Sequence, residues 1–220
     1  DYIDHFNYVL PAFKDSRYIT VDGKPLFLVY SPVELPDTKL FMDTWNKLAI
    51  ENGLKGVHFV GQTSRKSPYQ LVINNGFDGV CRAAVDVAED KIKGKFYNKV
   101  VGTLRKYTRY VPLNRYKYID IINNYLIPEV DRLPNIYPSV IPNYDHTPRS
   151  GRKAMILEGS TPQLFKRLFD QALDLIKDKP PEHKILFLRS WNEWAEGNFV
   201  EPDIQFGRQY LDAIKSSLNN

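Results

Sequence analysis

Three carboxylic acids, Glu193, Glu196 and Glu201, fall within nine positions of one another, accompanied by the amide of Asn192 and the indoles of Trp191 and Trp194. Burying unpaired carboxylates costs far more than apolar neighbours return, so this cluster needs a cleft or open water. Three residues of extended chain would set Glu193 and Glu196 about 10 Å apart and on opposite faces. In a turn or helix the same offset brings side chains to about 5–6 Å, close to the spacing at which two carboxyl groups carry out retaining glycoside chemistry. The tryptophans add flat apolar faces that stack on sugar rings and N–H groups that can meet hydroxyls. The competing reading is an acidic, aromatic loop whose glutamates are simply solvated.

Stepping upstream, Ile185, Leu186, Phe187 and Leu188 form a short uninterrupted apolar run, which predicts a strand at 184–190 buried on both faces. The strand is expected to end at or before Glu193, with residues 193–197 turning so that the two carboxyl groups come within about 7 Å of each other, on the side of Asp145. A second polar stretch, 143–149, follows a predicted strand at 136–141. There Asp145 can bind sugar hydroxyls and Arg149 can pair with a carboxylate or phosphate, near enough to the acids to influence them. The plainer alternative is an Asp-initiated turn ahead of Pro148.

Composition narrows the class. At 220 residues and 43% hydrophobic content the chain can build one domain with a real core, and it carries no repeat or low-complexity tract. A net charge of +4 is too small to argue for nucleic acid. The single cysteine, Cys81, excludes an internal disulfide. No apolar run approaches the roughly 20 residues of a membrane span, and no signal peptide is visible. The resulting expectation is a cytoplasmic protein that can sit at the periphery of the inner membrane. Histidines 5, 58, 146 and 183 are scattered and no glycine-rich phosphate loop occurs, so neither metal nor cofactor is expected, although His146 lies inside a candidate motif.

The rest of the chain alternates. Residues 1–13 read as a packing helix, with Tyr2, Phe6, Val9 and Leu10 at helical spacing, that Pro11 ends or bends. Strands are predicted near 26–30, 56–61 and 77–82. Between them come a helix capped by Asp37 or Thr38 and stopped at Gly53, and a short one opened by Ser67-Pro68. Residues 118–130 predict one helix with an irregular end at Pro128, and Ser160-Thr161-Pro162 caps a long helix reaching 177. A last helix spans about 206–217. Strand–helix alternation with short linkers predicts parallel βα units. Between 84 and 118 the rhythm breaks: lysines and arginines interleave with Phe96, Tyr97, Tyr107, Tyr110, Tyr116 and Tyr118. That stretch reads either as a contact for phosphate or a membrane surface, or, as the favoured expectation, as a solvated loop over one end of the fold.

The string Trp191-Asn192-Glu193-Trp194-Ala195-Glu196-Gly197, followed by Glu201-Pro202-Asp203, resembles the signature of the glycoside hydrolase family 99-like domain, also called the WbsX-type glycosyltransferase family, of bacterial surface-polysaccharide gene clusters. Leu10-Pro11-Ala12-Phe13-Lys14-Asp15, Arg17-Tyr18-Ile19 and 21–27 resemble its mid-domain segment. Asp145, Thr147, Pro148 and Arg149 resemble a second motif, with departures at Tyr144 and His146, where Trp and Asn are expected. The resemblance covers nearly the whole chain. It implies an α/β fold of (β/α)8 TIM-barrel type, of which this chain holds roughly the C-terminal five βα units as one catalytic domain over residues 1–220, the units before Asp1 lying outside it. An open doubly wound sheet is the alternative.

The same resemblance implies a mechanism. One carboxylate acts as base on a neighbouring sugar hydroxyl and forms an anhydro-sugar, while the other protonates the leaving oxygen and later activates the acceptor. Glu193 is assigned the first role and Glu196 the second, with Trp191, Asn192, Trp194, Asp145, His146, Arg149 and Glu201 binding substrate. The expected partners are a glycan and a lipid-linked acceptor at a membrane surface, in lipopolysaccharide-like polysaccharide biosynthesis, by transfer or hydrolysis. A non-catalytic sugar-binding module and an inactive barrel fragment with exposed strand edges are the alternatives.

Overall fold

A computed structural model describes residues 1–64, 67–108 and 110–219; Arg109 and the Lys106 side chain, both in the basic stretch, lie outside the described residues. The fold is mixed α/β and divides into two compact units.

The first unit comprises Asp1–Ala83, Arg132–Tyr137 and Asp178–Ile185. Helix α1 (Tyr2–Phe13) runs through Pro11 instead of stopping there. Proline near a C-terminus removes one N–H, while Lys14 still donates to the Leu10 carbonyl. The helix buries Phe6 and Phe13, but only half buries Tyr2, Val9 and Leu10. A tight turn at Asp22-Gly23 joins β1 (Thr20–Val21) to β2 (Lys24–Val29) as an antiparallel pair. Helix α2 (Thr38–Glu51) is capped by the Asp37 carboxylate, which accepts from the Leu40 N–H at 2.8 Å. Its buried face of Phe41, Trp45 and Ala49 meets α1, and the Trp45 indole donates to the Tyr2 carbonyl at 3.0 Å.

Parallel pairing follows as predicted. β2 pairs with β3 (His58–Gln62), α3 (Tyr69–Asn74) follows, and β3 pairs with β4 (Gly79–Arg82). Pro68, not Ser67, stands at the cap of α3; the Ser67 hydroxyl instead meets that of Ser64.

The second unit comprises Ala84–Asp131, Pro138–Lys177 and Leu186–Asn220. Its opening corrects the expectation of a loop: 84–118 contains α4 (Val85–Lys93), α5 (Lys95–Tyr107) and β5 (Asn114–Lys117). The single helix expected over 118–130 is two, α6 (Tyr118–Tyr125) and α7 (Pro128–Asp131). Proline disfavours helical backbone in the residue before it, and the break falls there. The buried face is consequently Tyr118, Ile121, Ile122 and Tyr125.

β6 (Ile136–Val140) begins in the first unit and ends in the second. After it come α8 (Thr147–Ser150), β7 (Met155–Glu158) and α9 (Pro162–Ile176), whose Thr161 cap accepts from the Leu164 N–H at 3.3 Å. β8 is only Phe187–Leu188 and half-buried, shorter and more open than the predicted buried strand at 184–190. A hairpin of β9 (Asn192–Glu193) and β10 (Asn198–Phe199), then α10 (Gln209–Leu218), completes the chain. In this unit β5 pairs with β7 and β6 with β8, both parallel, over a core that includes Tyr118, Val140, Phe165, Leu168, Val200 and Tyr210.

The first unit also contains a polar chain that runs from buried His58 and Tyr137 out to exposed Asp22. His58 Nε2 meets the Tyr137 hydroxyl at 3.0 Å, that hydroxyl meets His183 Nδ1 at 3.1 Å, and His183 Nε2 lies 3.3 Å from Asp22. Burial pushes the Tyr137 hydroxyl well above the usual tyrosine range and lowers His58 from its ordinary value near 6.5, so His58 is held neutral. The unfolded chain therefore binds a proton near pH 6.5 that the native state takes up only at lower pH. Stability should fall as pH drops from about 6.5 toward that lowered value. Urea denaturation at neutral and mildly acidic pH should show this slope in the wild type and a smaller one in His58→Gln; equal slopes would remove His58 as its source.

Candidate functional site

The elements that carry the site begin where β6 ends. The Tyr118 hydroxyl, kept protonated by burial, donates to the Ile141 carbonyl at 2.7 Å. The Ser160 hydroxyl donates to the Pro142 carbonyl and also meets the Tyr210 hydroxyl at 2.9 Å. Two successive carbonyls are thus fixed by side chains from α6 and from the turn before α9. Beyond them, Leu157 donates to the Tyr144 carbonyl and His146 to the Met155 carbonyl, laying 144–146 along β7. The Asp145 carboxylate accepts from the Thr147 N–H at 2.9 Å and the Thr147 hydroxyl at 2.6 Å. Asp145 therefore closes a local turn at the start of α8, which is the plainer of its two sequence readings.

The acidic stretch is fixed from the other side. Asn198, fully buried, accepts from the Ser190 N–H at 3.0 Å, and Asn143 accepts from the Phe199 N–H at 3.1 Å. The chain turns as expected after Glu193: β9 ends there, a 3-10 turn covers Trp194–Glu196, and Gly197 adopts left-handed backbone at φ 54°. A Cβ on Gly197 would lie 3.1 Å from the Asp145 nitrogen, so glycine serves here both conformation and close approach.

Glu196 is clamped to the 145–149 segment. Its carbonyl accepts from the Asp145 N–H at 2.8 Å. Its Oε1 accepts from Arg149 Nη1 at 2.9 Å and lies 3.2 Å from His146 Nε2. The carboxylate is 14% exposed while Arg149 is 65% exposed, so the acid is recessed and its cationic partner faces solvent. Among the described residues none pairs with the Glu193 carboxylate, which sits half-buried at the end of β9.

The tryptophans divide. Trp191 is exposed, its carbonyl accepting from the Val200 N–H. Trp194 stacks on Phe199, with ring centres 3.7 Å apart and planes 14° from parallel, and its indole N–H donates to Glu201 Oε2 at 2.7 Å. The N–H expected to meet a sugar hydroxyl is therefore already used, and Glu201 holds an aromatic platform in place. Asn192 is exposed on β9.

The structure brings Asp145, His146, Arg149 and Glu196 together, joins Trp194 to Glu201, and carries Glu193 on the same hairpin. Sequence reading missed Asn143, Asn198 and Gly197. The glycine after Glu196 was the available signal, since glycine marks left-handed turns; an asparagine in a polar loop gives no hint that it will be buried. Such a recessed carboxylate beside a second acid and exposed indole faces can exchange protons with a hydroxylated, ring-shaped ligand.

Comparison with known proteins gives a consistent result. The family described as Glycosyltransferase WbsX matches residues 1–214. Proteins called WxcX, uncharacterized, from two strains of Xanthomonas campestris pv. campestris are 25% identical over 93% of this chain. The chain spans 28% of the length of these curated relatives. Among solved structures, the GH99 endo-alpha-mannosidase from Bacteroides thetaiotaomicron shares the fold in two forms. The complex with BIS-TRIS-propane has a TM-score of 0.52 at 16% identity, covering 98% of this chain and 62% of that one. The second structure has a TM-score of 0.50 at 16% identity, covering 99% and 63%.

Gly197→Ala should destabilise the protein by about 1–3 kcal/mol, combining left-handed strain with crowding against Asp145. Gly159→Ala is the control, because φ is 76° there and nothing lies within 4 Å of the added Cβ. Chemical denaturation should find the Gly197 variant the weaker of the two; equal losses would mean that the hairpin yields freely.

Proposed function

The chain belongs to the WbsX glycosyltransferase family, and on that premise we propose that it carries the catalytic acids of a carbohydrate-active enzyme in polysaccharide metabolism. One observation carries the reading: the turn after β9 presents Glu193 and Glu196 three residues apart, with Glu196 recessed and gripped by Arg149 and His146. A purely solvated acidic loop would not recess one carboxylate behind an exposed arginine. Parallel pairing of β2 with β3 and β4, of β5 with β7 and of β6 with β8 supports assigning the fold to the (β/α)8 type. The fold neighbours being endo-alpha-mannosidases supports a glycan substrate.

In the proposed reaction Glu193 removes the proton from the hydroxyl next to the anomeric carbon. That oxygen attacks the anomeric carbon as the bond to the leaving oxygen breaks, giving an anhydro-sugar, and Glu196 supplies a proton to the leaving oxygen. In the second half Glu196 takes a proton from the acceptor, whose oxygen opens the anhydro ring, and Glu193 returns its proton to the sugar hydroxyl. His146 and Arg149 position Glu196 throughout, while Trp191 and Trp194 hold the ring and Asn192 and the Asp145 oxygen not engaged by Thr147 meet its hydroxyls. The substrate in this reading is a bacterial surface polysaccharide of the lipopolysaccharide type, with a lipid-linked glycan as acceptor.

Tested in the complete enzyme with a glycan substrate, Glu193→Gln and Glu196→Gln should each lose about 10²- to 10⁴-fold in kcat. An activated leaving group should partly rescue Glu196→Gln and not Glu193→Gln. Glu201→Gln should raise KM more than it lowers kcat, because its contact is with Trp194. Full turnover by both Glu193→Gln and Glu196→Gln would replace this reading with a non-catalytic sugar-binding module, and rescue of Glu193→Gln alone would reverse the two roles.

A further inference from the structure

Helix α5 is amphipathic in the wrong sense for packing. At 100° per residue, Phe96, Val100, Leu104 and Tyr107 fall within about 80° of one another on one stripe. That stripe faces solvent: Phe96 is 80%, Leu104 46% and Tyr107 82% exposed. The side turned to the protein is polar, with the Asn98 amide donating to Asp90 at 2.9 Å and its carbonyl accepting from the Tyr116 hydroxyl at 3.1 Å. A helix that turns a hydrogen-bonded asparagine inward and exposes a phenylalanine, a leucine and a tyrosine has its apolar face waiting for another medium.

The charge around the stripe indicates which medium. Residues 91–117 contain nine lysines and arginines and no acid, against a net +4 for the whole chain, which leaves the remainder at −5. Some of these cations are used internally: Lys93 donates to the Arg115 carbonyl, Arg105 to the Pro112 carbonyl, and Arg115 pairs with Glu158. Lys95, in the first turn, and Lys99, about 60° round the helix from Phe96, are both exposed, and long basic side chains there can reach lipid phosphates while the apolar residues enter the acyl boundary. Tyrosines 97, 107 and 110, all exposed, suit the headgroup level.

We propose that α5 docks this protein on an anionic lipid surface, lying in the interface with Phe96, Val100, Leu104 and Tyr107 inserted and Lys95 and Lys99 on the phosphates. The helix also packs against the 3-10 turn Gly151–Lys153, which directly follows the helix carrying Arg149. A bilayer engaged by α5 therefore lies beside the segment that grips Glu196. The docking requires no assumption about the reaction.

The test is co-sedimentation of the full chain with vesicles of phosphatidylcholine alone and of phosphatidylcholine mixed with phosphatidylglycerol. Binding is expected to the mixed vesicles only, and to weaken with salt. Lys95→Gln with Lys99→Gln should lower partitioning roughly thirtyfold, from about fivefold per basic residue near an anionic surface. Phe96→Ser with Leu104→Ser should lower it comparably, and circular dichroism should show both double variants folded, since the replaced side chains are exposed. The proposal is overturned if wild type binds neither vesicle, or if neither pair of substitutions changes binding. It is equally overturned if sedimentation shows a dimer that Phe96→Ser with Leu104→Ser disperses, which would assign the stripe to a second copy.

Discussion

The clamp between Glu196 and the 145–149 segment is the interaction on which the site depends. It has three strands: a backbone hydrogen bond to Asp145, a charge-assisted bond from Arg149 and a contact with His146. Charge-assisted hydrogen bonds are roughly twice as strong as neutral ones, and a recessed position shields this one from water on the acid's side. Both partners stand on a short helix whose first turn is closed by Asp145 and Thr147. The clamp therefore ties two loops, one after β6 and one after β8, into a single piece.

That piece is held by groups given no step in the proposed reaction. Tyr118 and Ser160 fix the carbonyls at which the chain leaves β6, and Asn143 and Asn198 fix the hairpin from beneath. Each satisfies a backbone group in a loop or at a two-residue strand that the sheet ladders leave unpaired. A site built on loops gains precision only when such side chains supply the bonds that secondary structure would have supplied.

Much of this was legible from residue order because the physical signals were local. Asp37 and Thr161 announce helix starts through the bonds their side chains make, and the runs at 26–30, 56–61 and 136–141 are short and largely apolar, as buried strands are. The Trp-Asn-Glu-Trp-Ala-Glu-Gly string pointed to the candidate site through its chemistry. What failed was set by packing. Residues 84–118 read as a solvated loop because lysines and arginines interleave there with aromatics and the strand–helix rhythm breaks, yet α4, α5 and β5 form in that stretch. β7 was missed because four residues after a basic turn carry almost no pattern. The Trp194 N–H was assigned to ligand, while the fold gave it to Glu201, seven residues on. Pairings of that kind depend on where the hairpin returns, which no local rule specifies.

The stack of Trp194 on Phe199 limits what the platform can read. One face of the indole is covered at contact distance, so only the other is open to a ring, and its edge is pinned by Glu201 against rotation. A pyranose presents a smooth C–H face only where its hydroxyls are equatorial; an axial hydroxyl on the approaching side would be pressed into the indole with no acceptor to meet it. Were the proposed sugar to stack there, the platform would act as a stereochemical filter, sorting epimers by the orientation of one hydroxyl through the cost of desolvating it against a surface that offers nothing in return.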